Sequence, residues 1–221
     1  RTLSTFTAIT MSRSADLEES VPLQQHLFQL FDSLGEHLLS STLTPLDVSS
    51  GIYAYAKASY VRDMGIFDHL VGLLASRVEE FNARQVAQSL WACGKMMDWE
   101  IAPEEEYDTP THPYMASATI MATFLGSQAE IMTTKDVAQS IWTIGRLHIY
   151  DPAVLSPLAN RAKAVAKHLT AQEIANIFWA LSKVKSQEFG LIFLLMRRIS
   201  HDKSLALTPQ EAANILYALG R

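Results

Sequence analysis

At 221 residues with 48% hydrophobic content, the chain is long enough for one or two ordinary domains and apolar enough to bury a core, which excludes an intrinsically disordered chain. The lone cysteine, Cys93, excludes an internal disulfide and, with no Cys/His spacing around it, a structural zinc site; the longest apolar run, residues 191–196, is far too short to span a bilayer. With 18 Lys and Arg against 23 Asp and Glu, the net charge of -5 argues against indiscriminate binding of nucleic-acid phosphates.

The chain opens RTLSTFTAITMSRSA, with Arg1, Arg13, many Ser and Thr, and no acid. That is transit-peptide composition, so residues 1–20 are expected to be a flexible, transit-like segment outside the fold. Residues 21–221 are expected to form one helical-repeat array. Its lead-in, residues 21–42, predicts a helix over 21–39 of the type called B below, without a preceding partner.

From residue 43 one pattern of about sixteen residues recurs: LTPLDVSSGIYAYAKA from Leu43, FNARQVAQSLWACGKM from Phe81, MTTKDVAQSIWTIGRL from Met132, LTAQEIANIFWALSKV from Leu169 and LTPQEAANILYALGR from Leu207. The starts lie 38, 51, 37 and 38 residues apart, and the long interval is 38 plus an insertion of 13. A fixed period near 38 is the signature of stacked helical repeats. Each copy encodes a helix start. Counting the first residue as position zero, position 1 is Thr44, Asn82, Thr133, Thr170 or Thr208, all good N-caps. Position 4 is Asp47, Gln85, Asp136, Glu173 or Glu211, which can reach back to complete a capping box. Positions 0 and 5 are apolar in every copy, the two halves of a hydrophobic staple. This helix is called A. Between A helices, apolar segments at 66–78, 114–127, 152–167 and 188–199 predict B helices. Residues 98–113, with four Glu, one Asp and three Pro between Glu100 and Pro113, predict an exposed acidic loop. The expected fold is therefore all-α: a right-handed α-solenoid of about five stacked 38-residue helix-turn-helix repeats.

At 100° per residue, most of the circumference of helix A is apolar or small. One narrow polar arc remains. It holds position 3 (Arg84, Lys135, Gln172, Gln210, and Leu46 in the first copy), position 7 (Gln88, Gln139, Asn176, Asn214, and Ser50 in the first copy) and position 14 (Lys57, Lys95, Arg146, Lys183, Arg221). Seven of the 18 basic residues fall on this arc, so an acidic chain can carry a basic stripe. Stacking aligns the arcs into one surface of cations and amides, a set suited to phosphates and base edges of single-stranded RNA. The same residues have structural readings: a cation in the last turn stabilises the helix dipole by roughly 0.3 to 1 kcal/mol, and an amide can bond a neighbouring repeat. Position 10, at the edge of the arc, is aromatic throughout: Tyr53, Trp91, Trp142, Trp179 and Tyr217. Because that edge borders the apolar face, the rings are assigned to the core between helices.

The stretches QSLWACGKM, QSIWTIGRL, ANIFWALSKV and ANILYALGR, each following an acid- or amide-containing helix start, resemble the octotricopeptide repeats of organellar proteins and the related helical arrays that precede RAP domains. The resemblance covers residues 43–221. It implies organellar RNA binding: stabilisation, processing or translation of transcripts or rRNA, in the mitochondrion or alternatively the plastid. The implied partners are single-stranded RNA or rRNA and ribosomal or other organellar proteins. An architectural subunit of a large assembly such as the mitochondrial ribosome, and a peptide-binding array, are the other readings. No catalytic constellation is expected: the seven His lack a metal-site spacing, and Glu104, Glu105 and Glu106 form a charge run in a Pro-rich loop. The chain is thus expected to be no enzyme, with no cofactor, no small-molecule substrate and no membrane partner.

Overall fold

The computed structural model describes residues 17–96, 114–184 and 186–220, with side chains from residue 25 onward. The transit-like residues 1–16, the acidic loop 98–113 and Arg221 lie outside the described residues. The regular elements among the described residues are all helical: α1 (Leu17–Leu39), α2 (Pro45–Ala58), α3 (Met64–Ser76), α4 (Ala83–Met96), α5 (Met115–Ser127), α6 (Thr134–Arg146), α7 (Pro152–Ala164), α8 (Ala171–Lys183), α9 (Phe189–His201) and α10 (Pro209–Leu219). The fold class is all-α.

The A helices are α2, α4, α6, α8 and α10, and each starts one residue after its expected cap. At Thr44, Thr170 and Thr208 both halves of the capping box are present. Asn82 and Gln85 make the same reciprocal pair, at 2.9 and 3.0 Å. In the remaining copy the Thr133 hydroxyl accepts from the Asp136 amide and donates to the Asp136 carboxylate, at 3.2 and 2.7 Å. The exit is equally regular. The amides of Tyr60, Ile149 and Ser186 donate to the carbonyls of Tyr55, Ile144 and Leu181, position 17 to position 12 in three copies. Ser59 and His148, both at position 16, have φ of 52°, the left-handed conformation of such helix ends.

Two expectations are corrected. The lead-in helix begins at Leu17, so residues 17–20 are helical rather than part of the flexible segment. The B segment expected over 152–167 stops at Ala164 and passes into a 3-10 turn, Ala166–His168; Val78–Glu80 and Ala129–Ile131 are its counterparts. These turns place Phe81, Met132 and Leu169 in extended conformation, buried, just ahead of each A cap. Each turn opens on an apolar residue, Val78, Ala129 or Ala166, the last two buried, so the apolar period of the B helix runs on into the turn.

Successive A helices pack on one another, α2 on α4, α4 on α6, α6 on α8 and α8 on α10. So do successive B helices, from α1 on α3 through α7 on α9, and the two layers enclose one continuous apolar core. Close A-to-A approach requires small residues at position 13. A Cβ on Gly145 would lie 2.6 Å from the Ala180 Cα, and one on Gly94 would lie 2.8 Å from the Thr143 Cγ2.

Candidate functional site

The outer face of the A layer carries a groove of about 650 Å3 running from α2 to α8. Its walls come from the arc positions: Lys57 and Tyr53 from α2, Gln88 and Trp91 from α4, Lys135, Ala138, Gln139 and Trp142 from α6, and Gln172 and Asn176 from α8. Thr170 and Glu173, the cap pair of α8, complete the lining, and the Thr134 hydroxyl lies 3.5 Å from the Glu173 carboxylate. Helical spacing explains the assembly: residues three or four apart share a face, and stacked helices bring those faces side by side.

Of the residues expected on this surface, Lys57, Gln88, Lys135, Gln139, Gln172 and Asn176 line the groove. Arg84 is exposed on the first turn of α4. Gln210 is exposed on α10 and donates to the Asn214 side chain at 3.3 Å. Arg221 lies outside the described residues.

Two of the position-14 cations, Lys95 and Arg146, have backbone partners in the preceding A helix. The Arg146 Nε donates to the Gly94 carbonyl at 2.7 Å, across 52 residues, and the Lys95 ammonium lies 3.5 Å from the Lys57 carbonyl, across 38. Each cation thus reaches carbonyls at the C-terminus of the preceding A helix, where partial negative charge collects. Burial pulls the Arg146 guanidinium below its ordinary pKa; burial first, and then the Lys57 charge, does the same to Lys95. For Lys95 and Arg146 the helix-end charge thus acts between neighbouring helices as well as within their own last turns.

Those cations also lie against the rings one turn earlier. Lys95 stands 5.7 Å from the Trp91 ring centre, Arg146 5.4 Å from Trp142, and Lys183 5.5 Å from Trp179 and 5.9 Å from Tyr217. The expectation that the rings belong to the core is met in part only. Trp91, Trp142 and Trp179 are half-buried, Tyr217 is 51% exposed, and Tyr53, Trp91 and Trp142 line the groove. The rings pair across helices, Tyr53 with Trp91 at 5.5 Å and Trp142 with Trp179 at 6.1 Å, tilted by 36° and 31°. Their place at the edge of the polar arc was the signal for a second, solvent-facing side.

The groove can offer ammonium groups to phosphates, amides to base edges and π faces to flat rings. Among the described residues no group of three or more His, Cys, Asp or Glu is placed to hold a metal ion, and no helix is long and apolar enough to cross a membrane. No protein-family model matches the sequence, and no curated protein matches it significantly.

Proposed function

We propose that this chain is an RNA-binding helical-repeat protein: a right-handed α-solenoid of about five stacked 38-residue units that holds single-stranded RNA along its A helices. The observation that carries this reading is the groove, in which two ammonium groups, several amides and three aromatic rings converge on one face of an otherwise acidic chain. That combination suits a strand whose phosphates, base edges and base faces all need partners. The resemblance of the five copies to octotricopeptide repeats supports the same reading and adds an organellar setting, the mitochondrion or alternatively the plastid. The role is stabilisation, processing or translation of a transcript or rRNA, by binding rather than by catalysis.

A second reading, an architectural subunit of a large organellar assembly, is favoured by the apolar side chains at the α9–α10 end. Phe189 and Phe193 are each 69% exposed there, and Leu216 is 70% exposed.

The test is anisotropy of fluorescein-labelled dodecauridylate titrated with the wild-type chain and with the Lys57→Glu/Lys135→Glu variant over a range of salt. Both ammonium groups line the groove, outside the carbonyl contacts that hold Lys95 and Arg146. Affinity is expected to fall more than tenfold, and the slope of log K against log salt to shrink by about 1.4, roughly 0.7 for each phosphate that is no longer neutralised. An unchanged affinity and slope in a folded double variant would remove the groove from RNA binding.

A further inference from the structure

Among the described residues the ring pairs of the A layer leave two junctions open, of which the one between Trp179 and Tyr217 holds the Lys183 ammonium against both rings. Tyr53 is paired with Trp91, and Trp142 with Trp179, but among the described residues no ring contact joins Trp91 to Trp142. The cavity borders both of these indoles. The same junction, between α4 and α6, is where the sequence period lengthens from 38 to 51 residues. The cavity and the sequence irregularity together distinguish this junction from the one between Trp179 and Tyr217.

Closed pairs and an open junction differ in what they can accept. A planar ligand enters between Tyr53 and Trp91, or between Trp142 and Trp179, only by displacing a ring already packed on its neighbour. Between Trp91 and Trp142 no ring has to be displaced; the side chains against these indoles are cations, Lys95 at 5.7 Å from the Trp91 ring centre and Arg146 at 5.4 Å from that of Trp142. The helices themselves are fixed there: Arg146 ties the end of α6 to the Gly94 carbonyl, and Gly94 and Thr143 are in close contact. Gln88 and Gln139, one turn before each indole, bring an amide from each side. Each offers both donors and an acceptor, the complement of a base edge. Lys57 and Lys135 border the same cavity, within reach of the adjoining backbone.

We infer that the α4–α6 junction is a stacking slot for a single nucleobase of a bound RNA strand, with Trp91 and Trp142 as its faces and Gln88 and Gln139 at its edge. The assignment rests on the RNA reading of the groove and adds to it a defined position at which a base leaves its neighbours and inserts. A peptide side chain would use the amides without needing two indole faces, so the ring geometry favours the base. Stacking tolerates any base, and the two amides supply whatever preference the slot has.

The test uses the whole chain and dodecauridylate. Leu in place of either indole keeps apolar bulk at a half-buried position and removes the π face, whereas Phe keeps one. Trp91→Leu and Trp142→Leu are each expected to weaken binding about tenfold, with the salt slope unchanged and with Trp91→Phe and Trp142→Phe recovering most of the loss. Independently of any variant, 254 nm crosslinking of dodecauridylate to the wild-type chain is expected to label the tryptic peptides 85–95 and 136–146, which contain the two indoles. Salt-dependent binding by the wild type, with full affinity in the folded Leu variants and crosslinks elsewhere, would overturn the slot and leave the groove standing. Absence of wild-type binding at low salt would overturn both. Uridine monophosphate binding as tightly as the dodecamer would replace the strand by a free nucleotide.

Discussion

At the scale of single residues, the arc positions divide by depth rather than by chemical type. Lys57 and Lys135 line the groove, whereas Lys95 and Arg146, cations like them, are half-buried against rings and carbonyls. Replacing the latter pair by acids would set a carboxylate against a carbonyl, so their loss should be read first as a loss of stability. A titrating residue lies close by. His148, in left-handed conformation at the end of α6, bonds the Tyr150 hydroxyl at 2.7 Å, and burial first, then the Lys183 charge, pulls its pKa below the usual 6.5. Between the folded and unfolded pKa values the unfolded chain binds the proton more readily, so stability rises with pH across that window. The contribution is complete above about pH 6.5 and is lost as pH falls through the folded value. Thermal melts should therefore show a lower Tm at pH 5.5 than at pH 7.5, and His148→Gln should make that drop smaller. An identical drop in the variant would assign the pH dependence to other groups.

At the scale of elements, what the sequence made legible was local. Thr170 and Glu173, or Asn82 and Gln85, find each other three residues apart, so the A-helix starts follow from neighbouring residues alone. The start of α1 and the 3-10 turns after the B helices were not legible, since residues 18–20 are polar and carry no apolar period, whereas the turns begin on an apolar residue that continues it. The reason position 13 is small was also hidden, because it lies in the next A helix. Gly145→Ala would push a Cβ into the backbone of Ala180, whereas Gly72, inside α3, has nothing within 4 Å of its added Cβ. Gly72→Ala should stabilise the chain by about 0.5 to 1 kcal/mol through helix propensity, and Gly145→Ala should destabilise it by about 1 to 3 kcal/mol through overpacking. Denaturant titration of the two variants measures both, and equal effects would mean that α6 and α8 can move apart without cost.

At the scale of the whole molecule, the arc residues of the groove could be read from helical spacing, but its depth and ring pairing could not. Whether a Trp at the edge of an arc packs inward or borders a groove depends on the distance to the same position in the next helix, and no single copy contains that distance. The carbonyl contacts of Lys95 and Arg146, spanning 38 and 52 residues, were hidden for the same reason. Those contacts also give the A layer a polarity. Each links a side chain to the backbone of the helix before it, never the helix after. Deleting α6 and everything beyond it would leave the Gly94 carbonyl free to accept from water at little cost. Deleting everything through α4 would instead take the Gly94 acceptor from Arg146 and leave a guanidinium against Trp142 without the carbonyl charge it was placed to meet. Shortened chains should accordingly tolerate loss of C-terminal helices better than loss of N-terminal ones. In a mechanical experiment, pulling from the two ends should peel helices away by different routes and at different forces.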